Sequence, residues 1–455
     1  MNRDSQSNKE SSPAPGAIAE TTSSDISPNG PASTPAETDT PRQSETKGTS
    51  GGSRWLKTFA SLGNRDFRFL WLGLLLMMGG ISMQMVVRGY LTYELTSSPF
   101  KLGLVSAGFA LPMLTLALFG GAVADRMERK KVIQLGQVTA RLLALFIAVS
   151  ITTGTITWVH LMAASIAQGA MFAFLMPARQ AIIPQLVGQE NLTNAMALSA
   201  AAMSATSLFT PTIAGVVYAA FGPDIVYYLI SVIMVVSVIL TSFIRVEGGG
   251  PTKPSVPMLS DIKDGLSYIR GSPLVLVLLV MGLITALLAM PFRIGLMPIF
   301  IIDVYERGPE ALGLMITVSG AGSLLGTMFI ATVGAWRRGM LLIVGSFASA
   351  VALLLVALIP VYFAAVGIML LMGLGDAGRR TVNQALIMEE VEDRYRGRVM
   401  GVFMMNFGLM PLGVLPAAAA TQVIGPQFTV GILGAMLMGT TLVVLLTQKR
   451  LREAN

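Results

Sequence analysis

Cysteine is absent from this chain of 455 residues, and histidine occurs once, at His160. Disulfides, thiolate metal sites and cysteine nucleophiles are therefore excluded. One histidine cannot furnish a multi-histidine zinc centre, and a Ser-His-Asp triad is not expected in so apolar a chain. Charge is scarce as well: 13% of residues are charged, against about a quarter in ordinary soluble domains. No Walker A pattern occurs, so ATP is not the expected energy source, and no cofactor is expected. Residues 1–53 have no apolar segment that would read as a signal peptide. They are rich in Ser, Thr, Pro and Gly and are expected to form a disordered cytoplasmic tail.

What fills the chain is apolar length. Hydrophobic residues make up 53%, and the mean hydropathy is +0.67. A membrane-spanning helix needs about 20 apolar residues, and runs of that order recur. The first half holds runs at 69–87 and 102–124, a double-length stretch at 132–178, and runs at 191–223 and 225–244. The second half holds runs at 274–302 and 311–335, then two double-length runs at 339–375 and 399–448. These read as twelve spans in two sets of six, an all-α membrane protein. Residues 54–245 and 273–450 are the two halves, and 246–272 a polar central loop on the cytoplasmic side. The halves echo one another. "PFKLGL" at 99–104 returns as "PEALGL" at 309–314, and "FGP" at 221–223 returns as "IGP" at 424–426. Short matches at equivalent places indicate a duplicated architecture.

The net charge of +7 would suggest nucleic acid in a soluble protein. Here it reads as basic residues gathered in cytoplasmic loops, and no nucleic-acid partner is expected. With both termini inside, Lys101 and Arg307 fall outside. Arg126, Arg129, Lys130, Lys131, Arg245, Arg337, Arg338, Arg396, Arg398 and Arg450, among others, fall inside.

The densest charge is in "GGAVADRMERKKV" at 120–132, with six charged residues among seven, 125–131. Four bases explain a topology anchor. They do not explain Gly121 followed four residues later by Asp125 at a helix end, where an acid near the hydrocarbon edge needs a partner. This stretch resembles the signature of the loop between helices 2 and 3 in the major facilitator superfamily, Gly-x-x-x-Asp-Arg-x-x-Arg-Lys. Gly121, Asp125, Arg126, Arg129 and Lys130 match it. The segments 177–198 and 383–401 resemble the connections between helices 4 and 5 and between helices 10 and 11 in a bacterial efflux branch of that family, which includes enterobactin exporters. The resemblance covers about 64 to 450. It implies a twelve-helix fold and alternating access. It also implies a latch in which Asp125 faces the start of helix 11, where Arg396 and Arg398 add to the positive helix terminus. Two departures stand out. Between helices 8 and 9 only Trp336, Arg337 and Arg338 remain of a second signature. Ser165 occupies the place where many drug antiporters carry an arginine.

Ionisable residues within spans are costly and usually functional. Asp376 is the one acid well inside a predicted span, and Arg379 and Arg380 lie three and four residues on, on its helix face. They read as a proton-coupling group or as a bracing ion pair. Arg88 and Arg293 lie at similar places in helices 1 and 7, which the fold implied by the resemblance sets on either side of a central cavity. With Gln84, they are candidates for binding an anionic or electron-rich substrate. The expectation is a monomeric transporter of the bacterial inner membrane, not an enzyme. It would export an amphiphilic small molecule, a drug or siderophore, against protons. The alternatives are uptake or uniport of a small anionic metabolite, or a channel or membrane enzyme.

Overall fold

A computed structural model of the chain describes residues 60–188, 190–245, 267–333 and 337–453. Among the described residues there is no strand. Twelve long helical segments follow one another. The first six are α1 Arg65–Thr96, α2 Pro99–Arg126, α3 Arg129–Thr152, α4 Trp158–Val187, α5 Leu192–Phe221 and α6 Pro223–Ser242. The second six are α7 Pro273–Val304, α8 Pro309–Val333, α9 Arg338–Leu358, α10 Tyr362–Glu390, α11 Asp393–Ile424 and α12 Pro426–Thr447. Ten are long and apolar enough to cross a membrane. The other two are α10, which carries Asp376, Arg379 and Arg380 near its middle, and α11, whose described apolar part is Leu412–Ile424. The tail at 1–53 and the central-loop residues 246–266 lie outside the described residues.

Local chemistry sets the helix ends. Asn64 caps α1 by accepting from the backbone N–H of Asp66 and Phe67, at 2.9 and 3.1 Å. Gly222 and Gly425 take φ of +90° and +85°. Each ends one helix while Pro223 or Pro426 opens the next. Glycine reaches that backbone conformation without a Cβ penalty, and proline costs nothing at a first helical position. The "FGP" and "IGP" echoes are therefore the same turn built twice. Helix α7 differs from a plain helix: two π-turns, Phe292–Leu296 and Phe300–Val304, interrupt it.

The helix neighbours repeat as well. α2 packs on α4, α3 on α4 and α6, and α1 on α5 and α6. In the second half α8 packs on α10, α9 on α10 and α12, and α7 on α11 and α12. The halves meet where α2 packs on α11 and α5 on α8, a pairing that exchange of the halves maps onto itself. Between helices in lipid, small residues let backbones approach. At Gly169 of α4 an added Cβ would run into the Phe109 carbonyl of α2, and at Gly373 of α10 into the Ser319 carbonyl of α8. Phe109 and Ser319 hold equal offsets from Pro99 and Pro309, so the two close approaches are one contact in duplicate. Many large apolar side chains, among them Leu111, Leu142, Phe209, Phe428 and Leu446, stay exposed on the helices, as a bilayer-facing surface requires.

Candidate functional site

Two ends of the bundle can be told apart. The tail end is where α1 begins; the first-turn end holds the α1–α2 turn at residues 97–98. Hydrogen bonds that join the halves, with both partners described, all lie toward the first-turn end. The Tyr93 hydroxyl of α1 donates to Asp303 of α7. The Ser98 hydroxyl and the Phe100 N–H both donate to Gln422 Oε1 of α11, at 3.0 and 3.2 Å. Thr212 Oγ1 of α5 donates to Thr317 Oγ1 of α8 at 2.7 Å. Between α5 and α8, Gly215 lies against the backbone of Pro309 and Glu310, and Gly313 against that of Pro211 and Thr212. Within the first half, Tyr218 donates to Glu94 at the same end.

Deeper in the first half, Arg88 is buried. Its Nη1 donates to Gln168 Oε1 of α4 at 2.5 Å, and Gln168 Nε2 donates to Gln84 Oε1 at 2.8 Å. Tyr227 of α6 lies fully buried and within electrostatic range of Arg88. Among the described residues its hydroxyl and Gln84 Nε2 have no hydrogen-bond partner. Arg88 is thus bonded to an amide rather than paired with a described carboxylate. Ser165, the position of interest for a relay arginine, donates to the Val105 carbonyl of α2 at 2.6 Å.

The second half does the opposite. Asp376 is buried on α10 with three guanidiniums around it. Arg293 Nη1 bonds Oδ2 at 2.6 Å, Arg379 Nη2 bonds Oδ1 at 2.6 Å, and Arg380 Nη2 reaches Oδ2 at 3.1 Å. Arg379 and Asp376 are enclosed, whereas the side chains of Arg293 and Arg380 keep 26% and 37% of their surface. The spacing of three and four residues accounts for Arg379 and Arg380. Only the fold supplies Arg293, from a π-turn that also touches α2 of the other half.

Arg88 and Arg293 do not hold matching positions. Counted back from Pro99 and Pro309, Arg88 corresponds to Pro298 and Arg293 to Met83. Removing the extra residue that a π-turn takes up brings Arg293 opposite Gln84. Asp376, counted from the paired Gly169 and Gly373, corresponds to Phe172, four residues beyond Gln168. Both members of the second-half contact are therefore about one helical turn nearer the tail end than Arg88 and Gln168. The two arginines sit in separate hydrogen-bond networks.

At the tail end, the bases of the charged stretch hold the first half together. Arg129 Nη1 donates to the Ala181 carbonyl at 2.8 Å. Lys130 Nζ donates to the carbonyls of Ser242 and Ile244 at the end of α6, at 2.9 and 2.6 Å. A cation there satisfies terminal carbonyls and the helix dipole. Arg396 Nε does the same for α10, donating to Met388 O at 3.0 Å and Val391 O at 3.2 Å. Arg398 lies over the Tyr395 ring, 5.7 Å from its centroid. Gly121, Asp125 and Arg126 fall in 117–126, where the helix is described and the side chains lie outside the described residues.

Three residues escaped sequence reasoning. Gln168 stands beside Gly169 in "SIAQG", and an amide in an apolar run was the available signal. Asp303 lies one residue past the apolar run 274–302. Tyr227 had no signal, because nothing in its own helix marks it as a neighbour of Arg88.

A duplicated twelve-helix bundle, with its polar side chains turned inward at mid-depth, defines a polytopic membrane protein of the transporter class. The Major Facilitator Superfamily model matches residues 70–413, and the chain belongs to that family. Relatives are transporters rather than enzymes. Macrolide efflux protein A of Streptococcus pyogenes is 26% identical over 353 residues, 75% of this chain and 86% of the relative. The staphyloferrin A transporter of Staphylococcus aureus is 24% identical over 364 residues, 77% and 88% of the two chains. Enterobactin exporter EntS of Escherichia coli is 23% identical over 313 residues, 68% and 74%. Among solved structures, a mutant of the nucleoside transporter NupG superposes with a TM-score of 0.72, at 13% identity, over 85% of this chain and all of that one. A POT family transporter gives 0.68 at 12% identity, over 87% and 99%. These likenesses establish the fold.

Proposed function

We propose that the protein exports an amphiphilic small molecule of the drug or siderophore kind across the bacterial inner membrane, by alternating access and in exchange for protons. The observation that carries the reading is the relatives' common role: efflux or transport of macrolides and siderophores on 68–77% of this chain. The fold supports the transport cycle. Contacts between described residues join the halves at the first-turn end, while the charged residues of the predicted latch cluster at the other. In this reading the tail end is cytoplasmic, 1–53 is a cytoplasmic tail, 54–245 and 273–450 are the moving halves, and 246–272 links them. The unit is a monomer. Asp125, with Gly121, Arg126, Arg129 and Lys130, meets the α11 terminus and its Arg396 and Arg398 when the cytoplasmic side closes.

The site residues divide by half. Arg88 and Gln84 contribute a polar wall in the first half. Arg293, Asp376, Arg379 and Arg380 form the charged centre in the second. Flux of a fluorescent amphiphile in inside-out vesicles tests the reading. Uptake should rise when the lumen is made acidic and collapse with a protonophore. Flux indifferent to any imposed gradient would leave a uniporter or channel. Asp125→Asn should keep expression and lose most transport; full transport would reduce the charged stretch to a topology anchor.

A further inference from the structure

The three-arginine centre holds more positive charge than it spends. Asp376 is the fifteenth of the twenty-nine residues of α10, at the middle of the helix. A bilayer surface, with its lipid headgroups, is therefore remote. Three guanidiniums bring fifteen N–H donors, and one carboxylate offers about four acceptor sites. Among the described residues, Asp376 is the acid that Arg293, Arg379 and Arg380 share, so the cluster carries two positive charges beyond neutrality. Donors remain unused inside it: Arg379 Nε and Arg380 Nε are buried without a hydrogen-bond partner.

The geometry also gives the cluster an open face. Arg379 is sealed in, and its Cβ lies 3.4 Å from where a Cβ of Gly345 on α9 would stand. Its first-half counterpart is Leu175, set against Gly136 in the same way. A guanidinium has taken the place of an apolar packing residue. Arg293 and Arg380 grip Asp376 from the other side and keep part of their surface free. The π-turn that carries Arg293 borders α2 of the opposite half. The part-exposed Arg293 thus stands on a segment where the halves adjoin, with Arg380 beside it on Asp376.

We infer that this cluster is the binding site for an anionic group of the transported molecule, a carboxylate of an amphiphile, which docks on Arg293 and Arg380 beside Asp376. Asp376 is a resident counter-ion that keeps the arginines in place while the site is empty. This deepens the transporter reading and rests on it. Guanidinium forks match the two oxygens of a carboxylate, and mid-membrane charge without a counter-ion is unfavourable enough to demand one.

The test measures binding of 1-naphthoate, an aromatic monocarboxylate, to the full chain in nanodiscs. Tetraphenylphosphonium is the cationic control, and nanodiscs with and without phosphatidylglycerol separate a lipid anion from a free one. Arg293→Gln and Arg380→Gln should each weaken naphthoate binding about tenfold. Asp376→Asn removes the competing negative charge and should tighten it about tenfold. That opposite sign is what a merely structural ion pair does not produce. Arg380→Lys should retain more affinity than Arg380→Gln. If Asp376→Asn does not accumulate, the part-exposed Arg380 variants decide. Naphthoate binding indifferent to the arginines, preference for tetraphenylphosphonium, or binding of chloride or phosphatidylglycerol in place of naphthoate overturns the inference. The vesicle assay keeps the two readings apart. Gradient-driven flux without a carboxylate site sinks the anion site alone, whereas naphthoate bound without flux sinks the transporter reading.

Discussion

The two halves of the molecule share a backbone and disagree about charge. Where α4 approaches α2, the first half has Gly169 against Phe109, and the second has Gly373 against Ser319. In both, an arginine from the first helix of the half reaches a polar side chain on the fourth. In the first half that partner is the neutral Gln168, and Arg88 is buried with it. In the second it is Asp376, with two further arginines, one turn nearer the tail end and partly open. Close helix packing tolerates little change, because every approach is fixed by backbone atoms. The polar side chains beside these contacts carry no such constraint. Duplication thus preserved the frame and left one half as a quiet wall and the other as the charged centre.

The largest effect should come from attacking the acid. Asp376→Leu strands three arginines and should cost about 3–5 kcal/mol, enough to remove the protein from the membrane fraction. Arg88→Met should cost less than about 2 kcal/mol, since it leaves only an unpaired amide acceptor. Yield of monodisperse protein in fluorescence-detected gel filtration reads both. Equal losses would break the contrast between the halves.

Next comes the shared frame. Gly169→Leu and Gly373→Leu should lower stability by similar amounts, about 1–3 kcal/mol each, seen as similar drops in melting temperature. A large effect at one and none at the other would mean that the duplicated contact matters in only one half.

Smaller effects are expected where the halves touch. The cysteine-free chain makes Thr212→Cys with Thr317→Cys a clean cross-linking reporter of the closed first-turn end. Gly313→Leu, which pushes against the Pro211 carbonyl, should cut cross-linking severalfold. The smallest shift belongs to Tyr93→Phe. Losing its bond to Asp303 is worth about 1 kcal/mol, or about a fivefold change in the closed population. An unchanged reporter in both variants would show that this end is held by other contacts.

The helices were legible because apolar length and Gly-Pro punctuation are local properties. The turns at Gly222 and Gly425 stand where the sequence breaks, and Asp376, Arg379 and Arg380 share a helix face by spacing alone. What could not be read was register between distant helices. Arg88 finds Gln168 eighty residues away, and Arg293 finds Asp376 across eighty-three. Pairing Arg88 with Arg293 as equivalents missed by five residues counted back from Pro99 and Pro309, and the π-turns of α7, which leave no mark in hydropathy, reduce that to about a turn. Asp303 was passed over because it sits where an apolar run ends, and a chain-ordered reading cannot see Tyr93 waiting across the boundary between halves.

The seam of α5 on α8 has a consequence for how opening responds to its surroundings. Gly215, Gly313 and Gly320 bring backbone against backbone, and among the described residues the side-chain bond between α5 and α8 is the neutral one from Thr212 to Thr317. Van der Waals contact between bare helices is untouched by dissolved ions, which screen only charges. The rate at which this seam parts should therefore hardly vary between dilute buffer and strong brine. It should instead follow whatever wedges the two helices apart, such as bilayer thickness or lateral pressure.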